Sequence, residues 1–314
     1  QIKQHFTKKV KICVVCGSGN NGADGVAIAR QLTEASYKVD VVVLGKEDKF
    51  SCEMKTQMQI LRNQGVSCFH KIPDKDYDCF VDAIFGVGLT REITDTEILD
   101  AIDTINSSDA YTYSVDIPSG IHTDTGCVMG RAVKADETIT FTCEKVGLCL
   151  YPGKEYAGRI YTKNIGIGNS DIEKVGVTHY GYKEKDGAVL LTRNADGNKG
   201  TFGKVAVIAG NNEISGAAVL CAGAVMKSGA GIVKVLSNDK TLDIIRKTLP
   251  EAMVQSLDDE MSMAEQIKKA IKWADSVVIG PGIGTDDLAY SKLLTVLKDF
   301  PEGKCLIVDA DGIN

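Results

Sequence analysis

The sequence predicts an α/β protein with doubly wound, mostly parallel sheets. Short apolar runs alternate with segments of helical spacing from the first residues onward. Glycine and polar clusters fall at the far ends of those apolar runs, where ligands of open parallel sheets bind. The length, 314 residues, suits two domains, each able to bury its own core.

Residues 9–17, "KVKICVVCG", read as a strand, and 21–36, "NGADGVAIARQLTEAS", as a helix with Val26, Ile28, Ala29 and Leu32 at helical spacing. A second strand, 37–45 (YKVDVVVLG), stops at Gly45, and a helix over 52–64 stops at Gly65. A third strand, 77–86 (YDCFVDAIFG), a helix (98–108) and a fourth strand, 111–120 (YTYSVDIPSG), continue the alternation. Residues 136–145 (DETITFTCEK) and 159–168 (RIYTKNIGIG) supply two further strands.

From Asn169 the texture turns charged and weakly periodic, so we expect one domain over 1–175, a connection over 176–197 and a second domain over 198–314. There, "GKVAVIAGNN" opens another strand, loop and helix, and "ADSVVIGPGIG" and "CLIVDADGIN" read as two more buried strands. The opening at Gln1 and the close at Asn314, just past a strand pattern, read as a fragment cut through its second domain.

Composition narrows the function. With 36 basic against 42 acidic residues, a net charge of −6 and no basic stripe, a nucleic-acid partner is excluded. No apolar run reaches the roughly 20 residues of a membrane span, and no signal-peptide core opens the chain, so a cytoplasmic protein is expected. The ten cysteines sit mostly in apolar runs, as reduced, buried thiols do, and the C-x-x-C of Cys13 and Cys16 points to opposite faces of a strand. His5, His70, His122 and His179 lack metal-ligand spacing.

Three strand-end loops, "GSGNNGADG", "DAIFGVGLTREI" and "DIPSG", are expected to converge on one crevice. The first places glycines at a helix N-terminus, where unpaired N–H groups and partial positive charge receive an anion. It also carries Asn20 and Asn21, whose carbonyl oxygens suit a hard cation, and Asp82 and Ser119 complete an oxygen cage. The plainer alternative makes Asn20 a helix cap and Asp24 a first-turn acid. A dehydrogenase is disfavoured, because no acid closes the second strand, which ends in Gly45 and Lys46. Asp116 leaves an apolar strand into a Pro-Ser-Gly turn, a place for a partly desolvated acid or base, or for a loop-shaping Asx-turn; Lys145 either joins it or is solvated surface.

Taken in order, "GSGNNGADG", "VDAIFGVGL", "SVDIPSGIHTDTG" and "ADETITFTCEKVGL" resemble the YjeF N-terminal family of NAD(P)HX epimerases over residues 12–168. The later "GNKGTFGKVAVIAGNNEISGAAVLCAGAVMKSGAG", "LPEAMVQ", "VVIGPGIG" and "IVDADGIN" resemble the start of the ribokinase-like, ADP-dependent NAD(P)HX dehydratases. The resemblance implies a Rossmann-like domain followed by part of a ribokinase-like domain, in an enzyme that repairs NADHX or NADPHX. One activity interconverts the R and S hydrates, and the other removes water from S with ADP or ATP and Mg²⁺. It further implies that Asn20, Asn21, Gly22, Ala23 and Asp24, together with Gly86, Val87, Gly88, Leu89, Thr90, Arg91 and Glu92, hold the hydrated cofactor. Asp116 then lies at the reactive ring, Lys145 assists it, and Asn21, Asp82 and Ser119 bind K⁺. Ala217 and Gly282 match substrate contacts of the dehydratase, and a homo-oligomer is expected.

Two positions depart from the pattern: Ala23 replaces a glycine, tolerable at negative φ, and Asn198 stands in place of a histidine. The family's later histidine loop, lysine-glycine nucleotide loop and "GTGD" aspartate do not occur before Asn314, so dehydration is not expected of these residues alone. The rival readings are a ribokinase-like small-molecule kinase for the second part and a non-catalytic binding module for the first.

Overall fold

In the computed structural model, which describes residues 1–182, 186–187, 195–298 and 300–314 except for the side chains of residues 260 and 261, the chain forms two units. They span Gln1–Tyr180 and Gly181–Asn314, and part of the connection expected over 176–197 lies outside the described residues.

The first unit runs α1 (Ile2–His5), β1 (Lys11–Cys16), α2 (Asn20–Glu34), β2 (Lys38–Val43), α3 (Cys52–Asn63), β3 (Cys68–Phe69), β4 (Cys79–Ala83) and α4 (Thr96–Asn106). It continues with β5 (Tyr111–Val115), β6 (Glu137–Phe141), α5 (Val146–Cys149), α6 (Gly153–Tyr156), β7 (Arg159–Lys163) and α7 (Asn169–Val175). All strands are parallel, in the order β3-β2-β1-β4-β5-β6-β7. Alternation along β1 sends Ile12, Val14 and Cys16 to one face, against Val26 and Ala29 of α2 and Met54 and Leu61 of α3. Cys13 and Val15 go to the other face, against Ile102 and Ile105 of α4. Helices therefore cover both faces, as parallel sheets require. Local chemistry sets the helix starts: Ser51 Oγ accepts from Met54 N–H at α3, and Asp95 Oδ1 accepts from Glu97 N–H at α4.

The chain leaves β1 toward β2 and later returns to β1's other side with β4, so the strand order reverses between β1 and β4. In sheets of this kind the ligand crevice lies beyond the strand ends at such a reversal.

The second unit contains β8 (Lys204–Ile208), α8 (Ser215–Lys227), β9 (Ile232–Ser237), α9 (Asp239–Thr248), β10 (Met253–Ser256), α10 (Glu260–Trp273), β11 (Ser276–Ile279), α11 (Asp287–Lys298) and β12 (Cys305–Val308). Its parallel sheet has the order β10-β9-β8-β11-β12. Helices α8 and α9 pack on one face, and α10 and α11 on the other.

The α/β class and parallel pairing follow the sequence expectation, while several details differ. The strand expected over 136–145 ends at Phe141, where Thr142 takes φ +65° and turns the chain; the one over 159–168 ends at Lys163. Strands β3, β9 and β10 and helices α9 to α11 had no sequence assignment. In β9, Lys234 interrupts the apolar run and places Nζ 4.1 Å from the Trp273 ring centroid. Strand β12 is not buried: it is a sheet edge, and Ile307 remains 49 % exposed. All ten cysteines are free, but only Cys13, Cys16 and Cys79 are buried, whereas Cys52, Cys127, Cys143, Cys149 and Cys305 are exposed. Among the described residues, no helix is long and apolar enough to cross a membrane.

The turn after β1 leaves no room for a side chain at Gly22, where a Cβ would lie 1.9 Å from Gly17 O. Gly22→Ala is therefore expected to destabilise the first unit by about 1–3 kcal/mol, read as a lower urea midpoint at unchanged m-value.

Candidate functional site

Helix α2 begins at Asn20, with Gly19 as an uncapped N-cap in extended conformation, so Asn20 is the first helical residue and not the cap. Ala23 is buried within the first turns of α2 at helical φ, which accommodates its departure from glycine. Asn20 is exposed, while Asn21 turns inward and donates from Nδ2 to Phe85 O at 2.8 Å. A Cβ on Gly86 would lie 3.2–3.3 Å from Asn21's side chain, so the loops after β1 and β4 touch there.

Asp82, on β4, organises the next layer. It is wholly buried and sits in register with Ser114 of β5. Its Oδ2 accepts from Ser114 Oγ and Ser119 N–H, both at 2.8 Å. Its Oδ1 accepts from Ser119 Oγ at 2.5 Å and Ile84 N–H at 3.3 Å. Ser119 Oγ also accepts from Phe85 N–H at 2.8 Å. Asn21, Asp82 and Ser119 thus join through the Phe85 peptide groups into one hydrogen-bonded chain, and the three strand-end loops meet. Burial raises the Asp82 carboxyl above its ordinary value, and the Ser119, Ser114 and Ile84 hydrogen bonds oppose that rise.

Asp116 leaves the end of β5 at φ +70°, and Ile117 N–H donates to Val115 O at 2.9 Å across it. This γ-turn, a strained form for a non-glycine residue, replaces the Asx-turn considered from sequence. The turned carboxylate reaches β6, where Oδ1 accepts from Phe141 N–H at 3.1 Å and Thr140 Oγ at 3.2 Å. Lys145 Nζ also donates to Asp116 Oδ1, and further to Thr140 Oγ at 2.9 Å and Phe141 O at 3.0 Å. Lys145 is therefore largely buried rather than solvated surface. Asp24, though exposed, has its carboxyl raised by partial desolvation and by the Asp116 charge.

Along the loop after β4, Val87, Gly88, Thr90, Arg91 and Glu92 are exposed, while Leu89 is buried in the core and anchors the loop. In the second unit Ala217 and Gly282 come together: Gly282 takes φ +66°, and a Cβ there would lie 2.8 Å from Ala217 Cβ. Sequence reasoning missed Ser114, Thr140 and Phe85. The first two carried a signal, a hydroxyl within an apolar strand; Phe85 acts through its backbone and carried none. No group of three or more His, Cys, Asp or Glu among the described residues is placed to hold a metal ion.

Residues 1–147 match the family model for the YjeF-related protein N-terminus, and residues 205–314 the model for NAD(P)H-hydrate dehydratase. A bifunctional NAD(P)H-hydrate repair enzyme of Thermofilum pendens is 31 % identical over 96 % of this chain and 59 % of its own length. An NAD(P)H-hydrate epimerase of Oenococcus oeni is 43 % identical over 50 % of this chain and 75 % of its own length. A Bacillus subtilis ADP/ATP-dependent NAD(P)H-hydrate dehydratase, crystallised with ATP and Mg²⁺, aligns with 41 % of this chain and 45 % of its own at 27 % identity and a TM-score of 0.34. The chain spans about three fifths of the length of the bifunctional relatives it matches.

Ser119→Ala would strip Asp82 of one donor and leave Phe85 N–H without its acceptor. A loss of about 2–4 kcal/mol in unfolding free energy is expected, measured by urea denaturation.

Proposed function

We propose that this chain, which belongs to the NAD(P)H-hydrate repair family, epimerises the hydrated nicotinamide ring of NADHX or NADPHX in its first unit. One observation carries the reading: a buried carboxylate, Asp116, paired with Lys145 at the carboxyl ends of the parallel strands.

Hydration of the dihydropyridine leaves a hydroxyl on a carbon bonded to the ring nitrogen. Ring opening makes that carbon planar: a base takes the hydroxyl proton, C–O becomes C=O, the C–N bond breaks, and the displaced electron pair takes up a proton. Closure on the opposite face reverses each transfer, so atoms and charge balance and only the configuration changes. Asp116 is the proton acceptor and donor in this reading, with Lys145 stabilising its ionised form. The loops Asn20–Asp24 and Gly86–Glu92 hold the dinucleotide, with its phosphates at the N-terminus of α2.

The same reading gives Asn21, Asp82 and Ser119 a potassium ion. Support comes from Asp82, a wholly buried carboxylate that meets only neutral donors among the described residues, next to amide, hydroxyl and carbonyl oxygens. Bound there, the ion supplies fixed positive charge beside the dinucleotide loop. Ala217 and Gly282 are assigned to the hydrated ring in a dehydratase that uses ADP or ATP with Mg²⁺, an activity of the whole protein. A cytoplasmic, homo-oligomeric enzyme completes the reading, and the ten free cysteines agree with a reducing compartment.

The test supplies mixed R and S hydrates with a separate dehydratase that consumes only S. Adding this chain is expected to accelerate loss of R, and an unchanged R decay overturns the proposal. Asp116→Asn is expected to lower that rate by about 10²-fold or more.

A second expectation concerns stability. Burial raises the Asp82 carboxyl, so between its unfolded value of about 3.9 and its higher folded value the folded state binds more protons. Without a suitable cation, this contribution to stability is lost as pH rises through that window; potassium, binding the ionised form, restores it. Melting temperatures in potassium chloride should therefore exceed those in choline chloride by a margin that grows as pH rises above about 4. The margin is expected to vanish in Asp82→Asn.

A further inference from the structure

We infer that Thr140 is a positioning residue for Asp116 and that proton transfer is confined to Asp116 Oδ2, an inference that rests on the proposed epimerisation. The carboxylate is held asymmetrically. All three of its donors, Thr140 Oγ, Phe141 N–H and Lys145 Nζ, converge on Oδ1, and no described donor reaches Oδ2. Oδ2 is the oxygen that the protein leaves unclaimed.

The ammonium of Lys145 is equally committed. It has three N–H bonds, and its partners are Asp116 Oδ1, Thr140 Oγ and Phe141 O. Lys145 therefore has no spare donor for a ligand; it acts through Asp116, as a positioning residue.

Thr140 joins the two charges. It is wholly buried on β6, and its single hydroxyl hydrogen has two acceptors in reach, Asp116 Oδ1 at 3.2 Å and Cys143 O at 3.4 Å. The lone pair that receives Lys145 Nζ orders the hydroxyl, leaving its hydrogen for the nearer, charged acceptor. A second γ-turn, centred on Thr142 at φ +65° with Cys143 N–H donating to Phe141 O at 2.7 Å, folds the chain back so that Lys145 returns over β6. Two strained turns on adjacent strands thus meet at one hydroxyl.

The chemical consequence is specific. A hydroxyl that donates to a carboxylate favours its ionised form. Removing the hydroxyl raises the pH at which Asp116 ionises, so the acid limb of the kcat profile moves up. In the coupled R/S assay, Thr140→Val is expected to lower kcat about tenfold with KM changed less than about twofold, and to move the acid limb up by about 0.5–1 pH unit. Thr140→Ser, which retains the hydroxyl, is expected to recover both. A ¹³C titration of the Asp116 carboxyl, with no substrate present, should show the same upward displacement in Thr140→Val.

Wild-type kcat and acid limb in Thr140→Val, a rise in KM alone, or a serine variant as impaired as valine would each overturn the assignment. Should the valine variant lack the wild-type circular dichroism spectrum, Thr140→Ala is read by the same two measurements. If the unaltered chain does not accelerate loss of R, the epimerase reading falls. The carboxyl titration then decides separately whether Thr140 holds Asp116.

Discussion

The first unit depends on one buried charge. Asp82 has no solvent, and among the described residues it meets only neutral groups, so its ionised form persists only while Ser114, Ser119 and Ile84 direct their donors at it. Those donors come from β5, from the Pro-Ser-Gly turn and from Asp82's own strand end. Satisfying the carboxylate therefore docks the loop after β5 onto the loop after β4, and Phe85 then receives Asn21 from the loop after β1. Three segments distant in sequence are located by one requirement, and the crevice inherits its shape from it.

Two carboxylates close to each other serve different ends because their surroundings differ. Asp82 lies among hydroxyls and peptide N–H groups that donate to it, and it carries no ion pair among the described residues. Asp116, one strand over, is paired with Lys145, displaced from the sheet by a left-handed residue and left with one unclaimed oxygen. The strain at Asp116 has a geometric purpose. A residue continuing β5 would keep its carboxylate over the strand, whereas the γ-turn swings it across to Phe141 N–H of β6. Asp24, facing Asp116, shows the resulting field, since its carboxyl rises partly through that charge.

Much of this was legible in the sequence, for physical reasons. Buried parallel strands read as continuous apolar runs, so β1, β4 and β5 stood out, and polar residues at their ends had few roles other than a site. Asn21, Asp82, Ser119 and Asp116 were singled out in that way, and hydrogen bonds join the first three through Phe85. The strands of the second unit were harder: β9 and β10 carry Lys234, Gln255 and Ser256, because their exposed or half-buried faces admit polar groups. The signal at Thr140 was weak because a threonine in a strand is commonplace, and the turns at Asp116 and Thr142 are what bring it charged neighbours. The role of Phe85 is peptide chemistry and leaves no trace in a side-chain pattern. Lys145 illustrates the limit best: an isolated lysine after a strand reads as surface until the backbone shows where it returns.

The two sheets also divide the labour differently. At the strand ends of the second unit, the residues singled out by sequence, Ala217 and Gly282, carry no titratable group and lie in mutual contact, with Gly282 in a left-handed conformation. Of the neighbouring polar groups, Asn211 accepts from Ile214 N–H of its own loop, and Asp311, after β12, accepts from Gly284 N–H of the loop after β11. The contact between Ala217 and Gly282 is one of close packing, with no acid or amine in it. In the first unit, by contrast, backbone strain, an ion pair and an ordered hydroxyl all act on one carboxylate.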